Sequence, residues 1–129
     1  MDVQLLEPDV LFASLPAEPH LQPELKLLWT GLAEREPLHL ILDLSRVEIV
    51  SSPSLGSLLL LRQRQSERAV RLVLCNVQLA TRTILRVVGL DAVFEYADDR
   101  PDALRVLRCL PRRPARTSAV GRESDGPAS

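Results

Sequence analysis

Aromatic side chains make up only 3% of the 129 residues, so a hydrophobic core here must be packed from aliphatic side chains. Cysteine is scarce too: Cys75 and Cys109 cannot build a disulfide framework, and their number fits a reducing compartment. Apolar runs stop at four residues, as at Leu58–Leu61, against the roughly 20 that a membrane-spanning helix needs. The start, Met1-Asp2, has no basic or apolar stretch behind it, and no secretory signal is expected. Net charge is nearly absent as well: 16 Lys+Arg against 17 Asp+Glu leave −1. That balance excludes a broadly basic nucleic-acid binder and a strongly acidic mimic. Lys26 is the single lysine, and the preference for arginine fits a GC-rich genome better than it fits a function. A small cytoplasmic protein of one domain is expected.

What is abundant is leucine, 26 residues within a hydrophobic share of 46%. These leucines stop at Leu110. Residues 111–129 are rich in Pro, Arg, Ser and Gly, cannot bury enough apolar surface to offset ordering entropy, and read as a disordered tail. The tail carries Arg112, Arg113, Arg116 and Arg122 against Glu123 and Asp125, a net of +2, which leaves −3 on the domain at 1–110.

Within 1–110, strand-like and helix-like patterns alternate. Val3–Leu6 and Val10–Leu15 flank the turn signal Glu7-Pro8-Asp9 and suit a hairpin. Leu25, Leu28, Trp29 and Leu32 share one face of a helix opening at Pro23. His39–Leu44 is β-like; if the sheet has an uncovered face, His39 and Asp43 should lie on it. A helix is expected over Leu55–Arg68, with Leu55, Leu58, Leu59 and Arg62 as its core stripe. Val70–Val77 reads as a buried strand. Gln78–Val88 reads as a helix with Ala80, Ile84, Val87 and Val88 in register and Gly89 as its left-handed stop. Val93–Tyr96 is a short strand, and a last helix runs from Asp98-Asp99-Arg100-Pro101 to about Leu110. This order argues for an α/β domain with one mixed or mainly parallel sheet.

The chain carries no G-x-S-x-G elbow, no phosphate-cradling glycine loop and no H-E-x-x-H. Cys75, Cys109, His20 and His39 lack metal-ligand spacing, and neither a metal nor a cofactor is expected. Cys75 reads as a small core hydrophobe and Cys109 as a partly exposed helix-end residue. A serine hydrolase would need His20 or His39 as a base beside a serine. The segment that stands out is Asp43-Leu44-Ser45 followed by Ser51-Ser52-Pro53-Ser54-Leu55-Gly56, a strand running through a loop into a helix. Ser52 suits the N-cap position and Pro53 the first helical position, with Ser54 in the first turn. The same helix start could accommodate a phosphate on Ser52, adding roughly −1.5 to −2 charges at a protein-binding surface. Leu60 and Leu61 extend the apolar face of this helix beyond an ordinary core stripe, as either a broadly buried helix or one lining a partner groove would require. Arg62, Arg64 and Arg68 are placed along or beside its exposed edge, where they could pair with an acidic partner or merely solvate it.

Over about residues 38–107 the sequence resembles the STAS family of bacterial anti-sigma-factor antagonists. The family pattern, a strand ending Asp-Leu-Ser and then Asp-Ser-Ser/Thr-Gly-Leu-Gly opening a helix, is similar to Asp43-Leu44-Ser45 and Ser51–Gly56. Leu72–Val77, Thr83–Asp91, Val93–Tyr96 and Asp102-Ala103-Leu104 resemble the elements that follow. The resemblance implies a single domain on 1–110, with a sheet of about four to five strands and helices mainly on one face. It implies no catalytic activity. Its phosphorylated serine falls on Ser52, with Ser51 and Ser54 as weaker candidates. Its partner surface falls on Asp43, Ser51, Ser52, Pro53, Ser54, Leu55, Leu60 and Leu61. The implied partner is an anti-sigma factor with a histidine-kinase-like ATPase domain, which phosphorylates the serine and so releases the protein. A second role in such families is a constitutive subunit of a larger assembly, such as a lipid-transport ABC complex. The sequence departs from the pattern at Ser51, Pro53 and Ser54, where the family has Asp, Ser/Thr and Gly. Leu15–Pro23 also lacks the Gly-(Glu)-x-Asp signature common before the first helix.

Overall fold

Strands and helices alternate along residues 2–109, the part of the chain that the computed structural model describes. The expected tail, 111–129, lies outside the described residues. The chain runs β1 (Asp2–Glu7), β2 (Val10–Ser14), α1 (Leu21–Ala33), β3 (His39–Asp43), α2 (Ser52–Glu67) and β4 (Leu72–Cys75). It continues through α3 (Leu79–Val87), a 3-10 turn at Asp91–Val93, β5 (Glu95–Ala97) and α4 (Arg100–Arg108). The strands lie side by side in chain order. The turn at Pro8-Asp9 folds β1 back antiparallel on β2, and β2 to β5 are parallel. Parallel neighbours need long crossovers, which α1, α2 and α3 supply.

The register decides what each face holds. Leu11, Leu40 and Leu72 are aligned across three strands, as are Phe12, Ile41 and Val73 one residue later. Because side chains alternate, the first set faces one side of the sheet and the second the other. On the first side the sheet packs against Leu21, Leu25, Leu28 and Leu32 of α1, Leu58 and Leu61 of α2, and Leu85 of α3. The opposite face is covered by α4, whose Ala103, Leu104, Val106 and Leu107 pack on Phe12, Ile41, Val73 and Cys75. His39 and Asp43 point to this covered side and are half-buried. β1 reaches past the helices, and Val3 and Leu5 are left 47% and 55% exposed.

Two helical faces differ from the sequence reading. In α3, Thr81 and Leu85 are buried and Ile84 is half-buried, while Ala80, Val87 and Val88 are exposed. Thr81 can turn inward because its hydroxyl donates to the Val47 carbonyl at 2.6 Å. In α2 the buried row is Ser54, Leu58, Leu61 and Gln65; Leu55 and Leu59 are half-buried and Arg62 is exposed. Gln65 takes a core position because its amide donates to the carbonyls of Leu38 at 2.7 Å and Arg71 at 3.3 Å, tying α2 to the starts of β3 and β4. Gly89 follows α3 at φ +81°, the left-handed stop expected of it.

Candidate protein-binding site

At the end of β3 the chain makes a loop before α2, and its conformation follows from local bonds. Asp43 Oδ1 accepts the backbone N–H of Ser45 at 2.8 Å, an Asx turn that bends the chain off the sheet. Leu44 N–H donates to the Cys75 carbonyl and Leu15 N–H to the Asp43 carbonyl, each at 3.0 Å. Val47 and Val50 are buried and anchor the loop, which leaves Ile49 between them 68% exposed. From the α3 side, Gln78 donates to the Ser45 carbonyl and Thr81 to that of Val47.

The helix start is one residue earlier than its sequence suggested. Ser51, not Ser52, is the N-cap, with extended backbone (φ −74°, ψ 163°) and its hydroxyl accepting the Ser54 N–H at 3.3 Å. The Ser51 hydroxyl also donates to Ser54 Oγ at 3.0 Å. Ser52 is then the first helical residue and Pro53 the second, where a missing N–H still costs no helical bond. This shift sorts the three serines. Ser54 is 0% exposed and Ser51 half-buried within the hydroxyl network, whereas Ser52 is exposed.

Glu18, on the loop between β2 and α1, completes the site and was not picked out from the sequence. Its Oε2 accepts the Ser51 backbone N–H at 2.7 Å. Burial alone would raise the Glu18 carboxyl, but the Ser51 N–H and the hydroxyls of Ser54 and Ser51 outweigh it and hold the group below its ordinary value. No local sequence signal marks Glu18, because its partner lies 33 residues away. The only hint lay in the resemblance, which has an acidic residue where this chain has Ser51, while Leu15–Pro23 carries Glu18.

Of the other residues expected at a partner surface, Pro53 is exposed, Leu60 is 59% exposed and Leu55 is half-buried against the core. Leu61, at 1% exposure, belongs to the core, and with Ser54 it is unable to touch a partner directly. A row of four leucines has no helical phase of its own, so only packing separates Leu60 from Leu61. Leu79, at the start of α3, is 79% exposed, one residue from the Gln78 side chain that holds the loop. The arginines expected on the edge of α2 cross-link the fold instead. Arg62 donates to the Val93 carbonyl at 2.8 Å, Arg64 lies over the Trp29 ring at 4.8 Å, and Arg68 donates to the carbonyls of Leu32 and Arg35.

Cys75 and His39 both have structural surroundings. Burial, with the Asp43 and Asp99 charges, pushes the Cys75 thiol up to about 12, which keeps it protonated and inert. His39 Nδ1 accepts the Arg71 N–H at 3.0 Å, at the end of β3 opposite the serine loop. Among the described residues no three His, Cys, Asp or Glu side chains gather where a metal could be held, and no helix is long and apolar enough to cross a membrane.

A family model described as the STAS domain matches residues 23–103. A crystal structure from Thermotoga maritima, of a protein named for anti-sigma factor antagonism, superposes with a TM-score of 0.72 at 19% identity, covering 84% of this chain and 94% of that one. An anti-sigma-factor antagonist (STAS) domain protein from Planctomyces limnophilus gives 0.72 at 20% identity, covering 84% of this chain and 100% of that one. A sulfate transporter family protein from Wolinella succinogenes gives 0.68 at 17%, covering 81% and 89%. No curated protein matches.

Proposed function

Since the chain belongs to the STAS domain family, we propose that it is a non-catalytic, cytoplasmic anti-sigma-factor antagonist that binds an ATPase-type anti-sigma factor through the β3–α2 loop and the exposed side of α2. The surface comprises Asp43, Ser51, Ser52, Pro53, Leu55 and Leu60, joined by the exposed Ile49 and Leu79. Phosphorylation of Ser52 releases the partner: the γ-phosphoryl group of ATP passes to Ser52 Oγ, ADP leaves and the hydroxyl proton goes to solvent. The observation that carries this reading is the sorting of the three serines at the start of α2, of which Ser52 alone is exposed, beside a loop pinned from both sides. Incubation with purified ATPase-domain anti-sigma factors of the same genome and ATP, followed by peptide mapping, tests it. Label on Ser52, absent from Ser52→Ala, is the expected result; absence of label with every such kinase, or label elsewhere, contradicts it.

A second reading is a constitutive STAS subunit of a larger assembly, such as a lipid-transport ABC complex. It is favoured by Pro53, which has no N–H, and by the Ser51 and Ser54 amides, which are already occupied, so that a phosphate is offered few donors. Unchanged partner binding by Ser52→Asp would favour it.

A further inference from the structure

We infer that Glu18 makes the Ser52 site charge-sensitive: a phosphoryl group on Ser52 breaks the Glu18–Ser51 hydrogen bond and frees the β2–α1 loop from the start of α2. This rests on the reading of Ser52 as the phosphoryl acceptor and adds how its charge is transmitted.

The argument begins with the orphan N–H groups of a helix start, which need acceptors outside the helix and make such a terminus attractive to anions. In α2 these donors are largely spent. The Ser51 N–H goes to Glu18 at 2.7 Å, Pro53 has none, and the Ser54 N–H goes to the Ser51 hydroxyl at 3.3 Å, which leaves the Ser52 N–H as the one donor of this turn without an acceptor among the described residues. The pattern is that of a capping box, in which the cap hydroxyl and an acidic side chain satisfy each other's amides. An ordinary box takes its acid from the third helical residue, which here is Ser54. The acid arrives from a different loop instead, so the same bond that caps the helix also fastens Glu18 and its neighbours to it.

A phosphate at Ser52 therefore meets a carboxylate already bonded to the preceding residue. Among the described residues, no Lys or Arg side chain donates a hydrogen bond to residues 47–54, so nothing of opposite sign is fixed there to offset the new charge. Repulsion between a dianion on Ser52 and the carboxylate bound to the adjacent Ser51 amide opposes a single, partly solvated hydrogen bond whose net worth is small. The weakest element gives way, and that is the Glu18 side chain on an irregular, largely solvent-facing segment. Release of residues 16–20 changes the partner surface on a second loop, beyond the serine itself. The same bonds explain the choice of serine: the Ser51 and Ser54 hydroxyls are committed to the network that Glu18 closes.

Amide hydrogen exchange on the full chain tests this directly, with phosphoserine installed at position 52 during synthesis and compared with wild type, in native and Glu18→Gln backgrounds. The Ser51 amide should exchange about tenfold faster with phosphoserine in the native background, and change by less than about twofold in Glu18→Gln, which keeps an acceptor but loses the charge. Ser52→Asp should show the same trend more weakly. Equal exchange with and without the phosphate, or acceleration that persists in Glu18→Gln, overturns the inference. The measurement needs neither kinase nor partner. A failure to find a kinase would thus strike the phosphorylation reading alone, and unchanged exchange would strike the coupling alone.

Discussion

Glu18 Oε2 and the backbone nitrogen of Ser51 stand 2.7 Å apart, joining two loops that are 33 residues apart in sequence at the first turn of α2. The position that holds aspartate in the family pattern is Ser51 here, and a carboxylate reaches it from the loop before α1.

That bond sets a pH dependence. The Glu18 carboxyl is held below its ordinary value in the folded protein, so its contribution is fully present above the unfolded value of about 4.3 and is lost as pH falls through the folded value. At neutral pH Glu18→Gln should be less stable by about 1 kcal/mol at most, since the group is partly solvated. The gap between variant and wild type in urea titrations should close as pH drops below about 4. A gap that stays constant from pH 7 to pH 3 would show that the charge of Glu18 does not contribute.

The cap assignment separates two adjacent serines. Ser51→Ala should cost about 1 kcal/mol by removing the acceptor of the Ser54 N–H, while Ser52→Ala should stay within about 0.5 kcal/mol. Chemical denaturation of the two variants decides it; the reverse order would place the cap on Ser52.

The leucines of α2 should divide just as sharply. Leu61→Ala removes a core side chain and should cost about 2–5 kcal/mol. Leu60→Ala should leave stability within about 0.5 kcal/mol while weakening partner binding, and Ile49→Ala should behave likewise. Comparable destabilisation by Leu60→Ala and Leu61→Ala would contradict the burial pattern.

Gln65 offers a test of the fold beneath the site. Gln65→Leu keeps the volume but withdraws the donor to the Leu38 carbonyl, and should cost about 1–3 kcal/mol in thermal or urea unfolding. A neutral or stabilising result would mean that this carbonyl finds water.

Much of this was legible in the sequence because it is local. Apolar alternation in LHLILDL and VRLVLC, the turn at Pro8-Asp9, and Gly89 after a helical run are patterns within a few residues, and they mark β1 to β4 and the end of α3. The covering of both sheet faces was harder to read, because α4 is a short helix at the end of the pattern and its target residues, Phe12, Ile41 and Val73, belong to three different strands. Helical phase failed where polar residues are buried through specific bonds. Thr81 and Gln65 pass for surface residues until the carbonyls of Val47 and Leu38 are seen to receive them. Similarly, Pro53 draws the helix start toward itself in sequence, but the extended backbone of Ser51 and its reach to Ser54 set it one residue earlier. Glu18 is a contact between loops and has no periodicity to reveal it.

The central claim is that the surface around Ser52 binds an ATPase-type anti-sigma factor only while Ser52 is uncharged. Titration calorimetry of wild type, Ser52→Ala and Ser52→Asp against each purified ATPase-domain anti-sigma factor of the same genome tests it most directly. The account predicts one partner whose affinity for Ser52→Ala lies within about threefold of wild type and falls by at least about 100-fold for Ser52→Asp. Equal affinity of all three proteins for that partner would contradict it and leave Ser52 as nothing more than the first residue of a capped helix.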